Sequence, residues 1–343
     1  MKLGRLLLAV AALATVVGLA RVAQNVESSG GRMVKAASTF LANLSDEQKA
    51  RAGFEFDSKE RTRWHFIPLQ DKNKKYTRKG LPLDEMSAEQ KKLAFALLRA
   101  GTTETGNKQA VTIMSLEAIL REQEARKGQM VRNPEWYFVS IFGKPTKSGM
   151  WGWRVEGHHL SLNFTLKGDE VISATPSFFG ANPAEVKSGK NKGLRILDAS
   201  ESLAIKLFTS LSDEQKKTAY RDKPFPEIPQ AEAKPNVGPP QGLAASEMNE
   251  AQRVLLARLL DAYTQRMPQE VAAKEMKEIK NAGVGKIHFA YTGGTEPGQP
   301  HTYRVQGPTF VVEFINEQKD SAGNPANHIH SAWRRIGGDF GIN

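Results

Sequence analysis

The sequence of 343 residues contains no cysteine. Disulfide bonds, thiolate metal sites and cysteine nucleophiles are therefore excluded. Because no disulfide can hold the fold together, its stability must come from the hydrophobic core, and a chain of this length can bury a large one. Any metal site must use His, Asp, Glu or Asn side chains, which favours zinc, copper, iron, nickel or manganese over sulfur-bound centres.

Long apolar runs are also missing, except near the start of the chain. Lys2 and Arg5 precede an apolar run over 6–19 that ends in small residues, which is the pattern of a secretory signal. The run is shorter than the roughly 20 residues that a helix needs to cross a bilayer. We therefore predict a cleaved signal peptide over 1–20 and an exported protein, periplasmic or extracellular, with no transmembrane span after signal removal. Since no cysteine follows, a lipid-anchored lipoprotein is excluded.

The signature motifs of several enzyme classes are absent. The chain has no phosphate-binding loop, no dinucleotide-binding glycine motif that opens a helix, and no Gly-x-Ser-x-Gly elbow. The net charge is +11, and basic runs at 72–79 and 187–192 lie in loop-like stretches. These runs could meet an acidic polymer or an anionic membrane surface, or they could simply be solvated loops. Apart from Tyr76, aromatic residues are not interleaved with them as they are on single-strand-binding surfaces, which argues against a nucleic-acid partner.

Two sequence patterns each occur twice. Residues 153–157 (Trp-Arg-Val-Glu-Gly) resemble 303–307 (Tyr-Arg-Val-Gln-Gly), and Leu-Ser-Asp-Glu-Gln-Lys is identical at 44–49 and 211–216. A capping residue also stands three positions before a glutamine at four places, which are Ser45, Ser87, Ser212 and Asn249. This spacing is typical of a capping box at the start of a helix. A second helix is predicted in each half, at 113–126 and 268–280.

After the helices, both halves turn to short apolar segments separated by glycine turns, which predicts strands. The predicted strands, paired between the halves, are 136–143 with 287–294, 151–156 with 301–306, 160–166 with 310–315, and 170–175 with 328–333. Helices followed by short strands indicate an α+β fold with an antiparallel sheet. We predict an internally duplicated protein with a first half over 39–200 and a second half over 201–343, packed as one compact unit.

The histidines do not follow this repetition, and they form the candidate site. Alternate side chains of a strand face opposite ways, so His328 and His330 share one face of the last predicted strand. Glu313 falls on the polar side of the preceding strand. Two imidazoles and a carboxylate are the ligand count of a facial-triad iron site or of an open zinc site. His158 or His159 could add a ligand or act as the general base, and the alternative is that all these histidines only form structural hydrogen bonds.

A longer set of motifs resembles a known family. The stretch over 151–165 (Trp-Gly-Trp-Arg-Val-Glu-Gly-His-His-Leu-Ser-Leu-Asn-Phe-Thr) is similar to the bacterial family catalogued as domain of unknown function thirty-five hundred. Further similar stretches are 63–65 with Pro68, 175–183, 303–308, and 327–335 with 339–341. The resemblance covers nearly all of the chain after the predicted signal. It implies an exported protein, and it implies no particular activity.

Three functions remain open at this point. The first is a metal-dependent enzyme in which His328, His330 and Glu313 bind zinc, iron, copper or manganese, and His158 or His159 assists catalysis on an unknown small molecule. The second is a non-catalytic metal-binding or interaction protein that meets a component of the cell envelope. The third is a carbohydrate or polyanion binder that uses Trp151, Trp153 and the basic surface, although paired tryptophans in a strand usually pack in a core.

Overall fold

The structure is a computed structural model that describes residues 27–125 and 130–342, so the predicted signal peptide over 1–20 lies outside the described residues. The α-helices of this part are α1 (Ser29–Ala42), α2 (Asp46–Ala52), α3 (Ala88–Ala100), α4 (Glu104–Glu124), α5 (Asp198–Thr209), α6 (Asp213–Ala219), α7 (Glu250–Thr264) and α8 (Gln269–Ala282). The strands are β1 (Gly53–Phe54), β2 (Leu81–Pro82), β3 (Tyr137–Phe142), β4 (Met150–Gly157), β5 (Leu160–Lys167), β6 (Glu170–Ser173), β7 (Ser177–Ala181), β8 (Leu243–Ala244), β9 (His288–Gly293), β10 (His301–Gln306), β11 (Phe310–Gln318) and β12 (His328–Arg335).

The strands form one sheet in the order β1-β3-β4-β5-β7-β12-β11-β10-β9-β8, with β2 beside β3 and β6 beside β5. Neighbouring strands are antiparallel, except that β1 runs parallel to β3. The predicted α+β class with a largely antiparallel sheet is therefore confirmed. In the part of the chain that the structure describes, no helix has the length and apolar content needed to span a bilayer.

The four predicted capping boxes are all present. Each cap side chain accepts a hydrogen bond from the backbone N–H of the glutamine three residues later, and that glutamine side chain accepts from the backbone N–H of the cap. The capping glutamines also bond to each other in pairs. Gln48 Nε2 donates to Gln90 Oε1 over 3.1 Å, and Gln215 Nε2 donates to Gln252 Oε1 over 3.0 Å. The same residues that start these helices therefore tie α2 to α3 and α6 to α7.

The helical side of the sheet holds the main hydrophobic core. Leu160, Leu162, Phe164 and Leu166 all lie in this core, as the alternation along β5 predicts. The Trp153 ring stacks on Phe164 with centroids 4.4 Å apart, and Tyr303 stacks on Phe314 at 4.7 Å in the second hairpin. These cross-strand aromatic pairs fill the space between the sheet and the helices.

The opposite side of the sheet is polar and is nevertheless buried. Two irregular segments, 55–80 and 221–242, cover it. Arg154 is fully buried and donates to Glu60 Oε1 over 2.7 Å, and Arg304 Nη1 donates to the carbonyl oxygen of Val237 over 3.1 Å. Because buried charges need partners, the guanidinium groups on this side of the sheet lie in ion pairs and hydrogen bonds. A second, smaller hydrophobic cluster packs beside them; it consists of Trp64, Phe66, Phe178, Ile228, Ile315, Ala332 and Phe340. The proline-rich stretch from 223 to 242 thus wraps across the sheet as extended chain.

Two sequence predictions of secondary structure need correction. Helix α4 begins at Glu104 rather than near 113, because the Thr103 side chain caps it by accepting from the Gly106 N–H over 3.1 Å. The strand next to β12 is β7, which was not predicted; its five residues lie between two prolines and show too little alternation. The predicted strand over 170–175 is β6 and pairs only with β5 among the described strands.

Candidate metal centre

Three histidine rings converge at one end of the sheet. The Nε2 atom of His159 lies 2.9 Å from Nε2 of His328 and 3.2 Å from Nε2 of His330. One ligand nitrogen of each ring lies within 4.8 Å of those of the other two rings. Zinc binds imidazole nitrogens at about 2.0–2.1 Å, so nitrogens at this spacing could share one ion. Among residues 27–125 and 130–342, this is the one group of His, Asp or Glu side chains found to have such an arrangement.

His159 reaches this position from the turn between β4 and β5. Its φ angle is +61°, in the left-handed region that a residue other than glycine seldom adopts. Two backbone hydrogen bonds hold the turn: the His159 N–H donates to the Phe66 oxygen, and the His159 oxygen accepts from the Gly180 N–H, each over 2.8 Å. The neighbouring segment and β7 therefore stabilise a backbone conformation that the turn would not adopt by itself.

Gly180 lets the His159 ring approach β12. Gly180 lies opposite His330 in the antiparallel pairing of β7 with β12. A β-carbon at this position would lie 2.8 Å from the carbonyl oxygen of Ile329 and 3.1 Å from Cγ of His159. Any side chain here would displace the ring or the strand, so the convergence of the three histidines depends on this glycine.

The outer nitrogens of the two β12 histidines have hydrogen-bonding neighbours. His330 Nδ1 lies 2.8 Å from Oε2 of Glu227, a half-exposed carboxylate on the 221–242 segment. Since a carboxylate accepts, Nδ1 carries the hydrogen and Nε2 presents its lone pair to the other histidines. Nδ1 of His328 lies 3.5 Å from the Asn182 amide nitrogen. A carboxylate partner like Glu227 usually orients a metal-binding histidine.

Electrostatics favour the neutral form of two of these rings. Burial lowers the pKa of His159 well below its ordinary 6.5, and the positive charge that neighbouring histidines and Arg132 can carry lowers it further. Burial also lowers the pKa of His328, and with the effect of His330, His158 and Arg132 it reaches about 2. A neutral imidazole is the form that binds metal, so both rings are ready to act as ligands at neutral pH.

His158 lies outside the ligand group but directly beside it. Its ring centroid is 3.8 Å from that of His159. Its Nδ1 contacts Glu117 of α4 closely and lies 3.3 Å from Nη1 of Arg132, which also forms two hydrogen bonds with Glu124. A carboxylate on Nδ1 leaves Nε2 with the lone pair of the neutral ring. Glu117 and His158 therefore form a carboxylate–histidine pair next to a candidate ligand.

The model of the family described as "Protein of unknown function (DUF3500)" matches residues 27–342. The chain belongs to this family. No curated protein and no solved structure matches it.

Within this DUF3500 chain, the predicted site residues have three different environments. His328, His330 and His159 come together, as described above. Glu313 lies elsewhere in the polar layer: it is buried on β11 and accepts a hydrogen bond from its cross-strand neighbour Arg304 over 2.7 Å. The expected role of Glu313 as a ligand is therefore not supported, because that carboxylate already compensates a buried guanidinium.

The tryptophans also differ from the third sequence hypothesis. Trp151 and Trp153 are buried in the core, and Trp151 Nε1 donates to the Gly168 oxygen over 2.8 Å. Neither ring can form a sugar-stacking face in this structure. The contacts of Glu227 with His330 and of Glu117 with His158, in contrast, were not predicted from the sequence. Both glutamates lie far along the chain from the histidines they contact, and neither stands in a recognisable motif.

Proposed function

We propose that this protein binds a divalent transition metal ion, zinc in the first place, through His159, His328 and His330. The contacts of His159 Nε2 carry the proposal. A ring nitrogen has either one hydrogen or one lone pair, so it cannot form good hydrogen bonds with two other ring nitrogens at 2.9 and 3.2 Å. A cation that accepts one lone pair from each ring would satisfy all three nitrogens together.

We further propose that the metal centre is catalytic. Structural zinc sites are usually closed by four protein ligands, whereas catalytic sites have three and keep a position for water. The group of three histidines in the described residues supports an open position. A bound water would lose a proton more readily than free water and could attack an ester, amide or other electrophilic substrate. The alternative, a non-catalytic metal-binding protein of the envelope, shares the ligands but needs no open position.

The Glu117–His158 pair is our candidate for the general base. A base needs a free lone pair near the reacting water and a partner that fixes its tautomer. The contact between His158 Nδ1 and Glu117 and the position of the ring beside His159 support this role. His158→Gln should keep the metal but lower a metal-dependent hydrolysis of 4-nitrophenyl acetate by roughly a hundredfold, the usual size of such effects.

Metal analysis tests the binding proposal directly. Protein purified without chelators should contain about one zinc or other transition-metal ion per chain, measured by plasma mass spectrometry. His159→Ala, His328→Ala and His330→Ala should each lose it. His288→Ala is the matched control, because this histidine of β9 has its Nδ1 3.0 Å from the Lys286 oxygen and lies outside the group. Zinc at a hundred times its Kd should stabilise the wild type by about 2.7 kcal/mol.

A second measurement separates the enzyme from the non-catalytic alternative. The cobalt-substituted protein should change its visible absorption spectrum when azide is added, because azide would replace water at an open position. A spectrum that azide leaves unchanged would argue for a closed site. Background metal content after reconstitution with zinc, iron, copper and manganese in turn would refute metal binding altogether.

We also propose that the two halves of the chain are copies of one unit. The paired glutamines described above support this, as do the parallel pairings of Gly53 with Ile141 and of Tyr220 with Tyr291. Leu81 pairs with Val139 just as Leu243 pairs with Phe289. An experimental structure in which the α1–β5 unit fails to superpose on the α5–β11 unit would contradict the proposal.

A further inference from the structure

A second polar site lies at the same end of the sheet, on the helical side. It is a cleft of about 530 Å³ bounded by α5, the start of β10 and the end of β11. This volume falls in the range of small-molecule sites, about 300–1,000 Å³. Its wall includes the polar side chains of Arg195, Glu201, His301 and Asn316, and the apolar side chain of Ile205.

The first hairpin, β4–β5, has apolar residues at the positions that correspond to His301 and Asn316 of the second hairpin. His301 pairs with Asn316 across β10 and β11, and Trp151 pairs with Leu166 across β4 and β5 in the corresponding register. Trp151 and Leu166 are fully buried and apolar. The smaller polar side chains of the second hairpin leave space and place hydrogen-bonding groups in it, which costs stability unless those groups find partners.

The same exchange occurs on the helix that faces this pair. Glu201 of α5 precedes the repeated string at 211–216 by the same distance as Val34 of α1 precedes the string at 44–49. Val34 packs against the core, whereas Glu201 accepts from Asn316 Nδ2 and from Arg195, each over 2.7 Å. At all three positions, an apolar residue of the first half therefore corresponds to a polar residue of the second half.

His301 has an unsatisfied nitrogen at the centre of this group. The ring is buried, and its Nδ1 lies 2.9 Å from the Gln299 carbonyl oxygen, so Nδ1 carries the hydrogen of the neutral ring. Nε2 has no hydrogen-bond partner among the described residues; Glu201 Oε1 lies 3.4 Å away, where it would pair with the ring if the ring were protonated. A buried ring nitrogen without a hydrogen-bond partner, in the wall of the cleft, leaves a position for a polar group of a ligand.

We propose that this cleft binds a small neutral polyhydroxyl compound, a sugar or polyol, with a ligand hydroxyl donating to His301 Nε2 or Glu201 Oε1. The charges of the wall balance, because Lys187, Arg195 and Lys206 are matched by Glu185, Glu201 and Glu296. A balanced wall gives a net anion or cation no advantage, whereas its mixed donors and acceptors suit hydroxyl groups. This surface is distinct from the buried tryptophans that the sequence suggested for carbohydrate binding.

Calorimetry on the full chain tests the proposal. The probes are glucose, galactose, N-acetylglucosamine and maltose, with glycine and phosphate as charged comparisons. At least one sugar should bind with a Kd of about 1 mM or tighter. Glu201→Gln, which keeps the size of the side chain, should weaken that binding by about tenfold, the effect of one lost charge-assisted hydrogen bond. Glu214→Gln, on the exposed face of α6 and outside the cleft, should leave it unchanged.

A double variant sharpens the comparison with the first hairpin. His301→Trp with Asn316→Leu copies Trp151 and Leu166 and should abolish sugar binding. Its metal content is measured in parallel, because Asn316 Oδ1 also accepts from the His328 N–H over 3.1 Å. Failure of every sugar to bind the wild type, or binding of glycine or phosphate instead, would overturn the proposal whether or not the double variant folds.

Discussion

The hairpins β4–β5 and β10–β11 have the same cross-strand register but carry different chemistry. Arg154 lies opposite Asn163 in the first hairpin, and Arg304 lies opposite Glu313 in the second. The tip of the first hairpin is the His158–His159 turn. The second hairpin points the opposite way, so its open end, with His301 and Asn316, lies at the same end of the sheet as that turn.

This difference concentrates the unusual polar groups at one end of the sheet. The three candidate ligand histidines lie at that end of β5 and β12, and the cleft lies beside them at β10 and β11. At the other end, the corresponding open end of the first hairpin is closed by Trp151 and Leu166, which are fully buried. The two hairpins thus have the same backbone pairing, but one end of the sheet is filled by buried apolar side chains and the other end has two candidate binding sites. The predictions below test how far the two hairpins are equivalent.

The largest loss of unfolding free energy is expected when a buried arginine is replaced by alanine. Arg304→Ala leaves Glu313, which is 2 % exposed, without the cation that pairs with it, and should cost about 3–5 kcal/mol of unfolding free energy. Arg154→Ala should cost less, because Glu156 keeps an ion pair with Arg78 at 2.9 Å. Urea denaturation measures both. Arg304→Met combined with Glu313→Leu should recover much of the loss, and equal losses in the two single variants would contradict this ranking.

A smaller, pH-dependent effect is expected at Glu156, where the second hairpin has Gln306. Burial raises the pKa of Glu156, but Arg154 and Arg78 outweigh burial and lower it below its ordinary value. A lowered folded-state pKa stabilises the fold above the unfolded-state pKa, and this stabilisation is lost as pH falls through the folded-state pKa. Glu156→Gln introduces the residue that stands at Gln306 in the second hairpin. It should lower the unfolding free energy by about 1–3 kcal/mol at pH 7.

That cost should shrink as the pH of the unfolding experiment falls below about 4.3, the ordinary pKa of a glutamate, because the unfolded wild-type chain then takes up a proton that the folded one does not yet bind. Glu214→Gln is the control, since this side chain is exposed on α6 and should show no such dependence. A penalty for Glu156→Gln that stays constant from pH 7 to acid would show that charge is not its cause.

The smallest effect is expected at the helix caps. Ser45→Ala and Ser212→Ala should each cost about 1 kcal/mol, because each removes one side of a capping box. The two losses should be equal within the error of thermal unfolding, since the four residues that follow each cap are identical. Replacement by Asn keeps an acceptor at the cap and should restore most of the stability. Unequal losses would mean that tertiary contacts, rather than the caps, differ between the halves.

Much of the local structure could be predicted from the sequence because its causes are local. The capping boxes depend on two residues three apart, and the core side of β5 depends on alternation along one strand. The strand β7 was missed because its flanking prolines suggest a turn and its pairing is decided by β5 and β12. The start of α4 was missed because Thr103 and Gly106, which cap it, also occur in loops.

The amino-acid sequence alone predicts the α+β class, the four capped helix starts, the alternation of the hairpins and the common face of His328 and His330. These features follow from periodicity and from hydrogen bonds between close neighbours in the chain. The three-dimensional contacts were needed to show that His159 rather than Glu313 lies with these histidines, that Glu227 contacts His330, and that the polar side of the sheet is buried. Each of these depends on contacts between distant segments, since a ligand group needs donor atoms to converge at one point and a buried charge needs a partner wherever the fold supplies one.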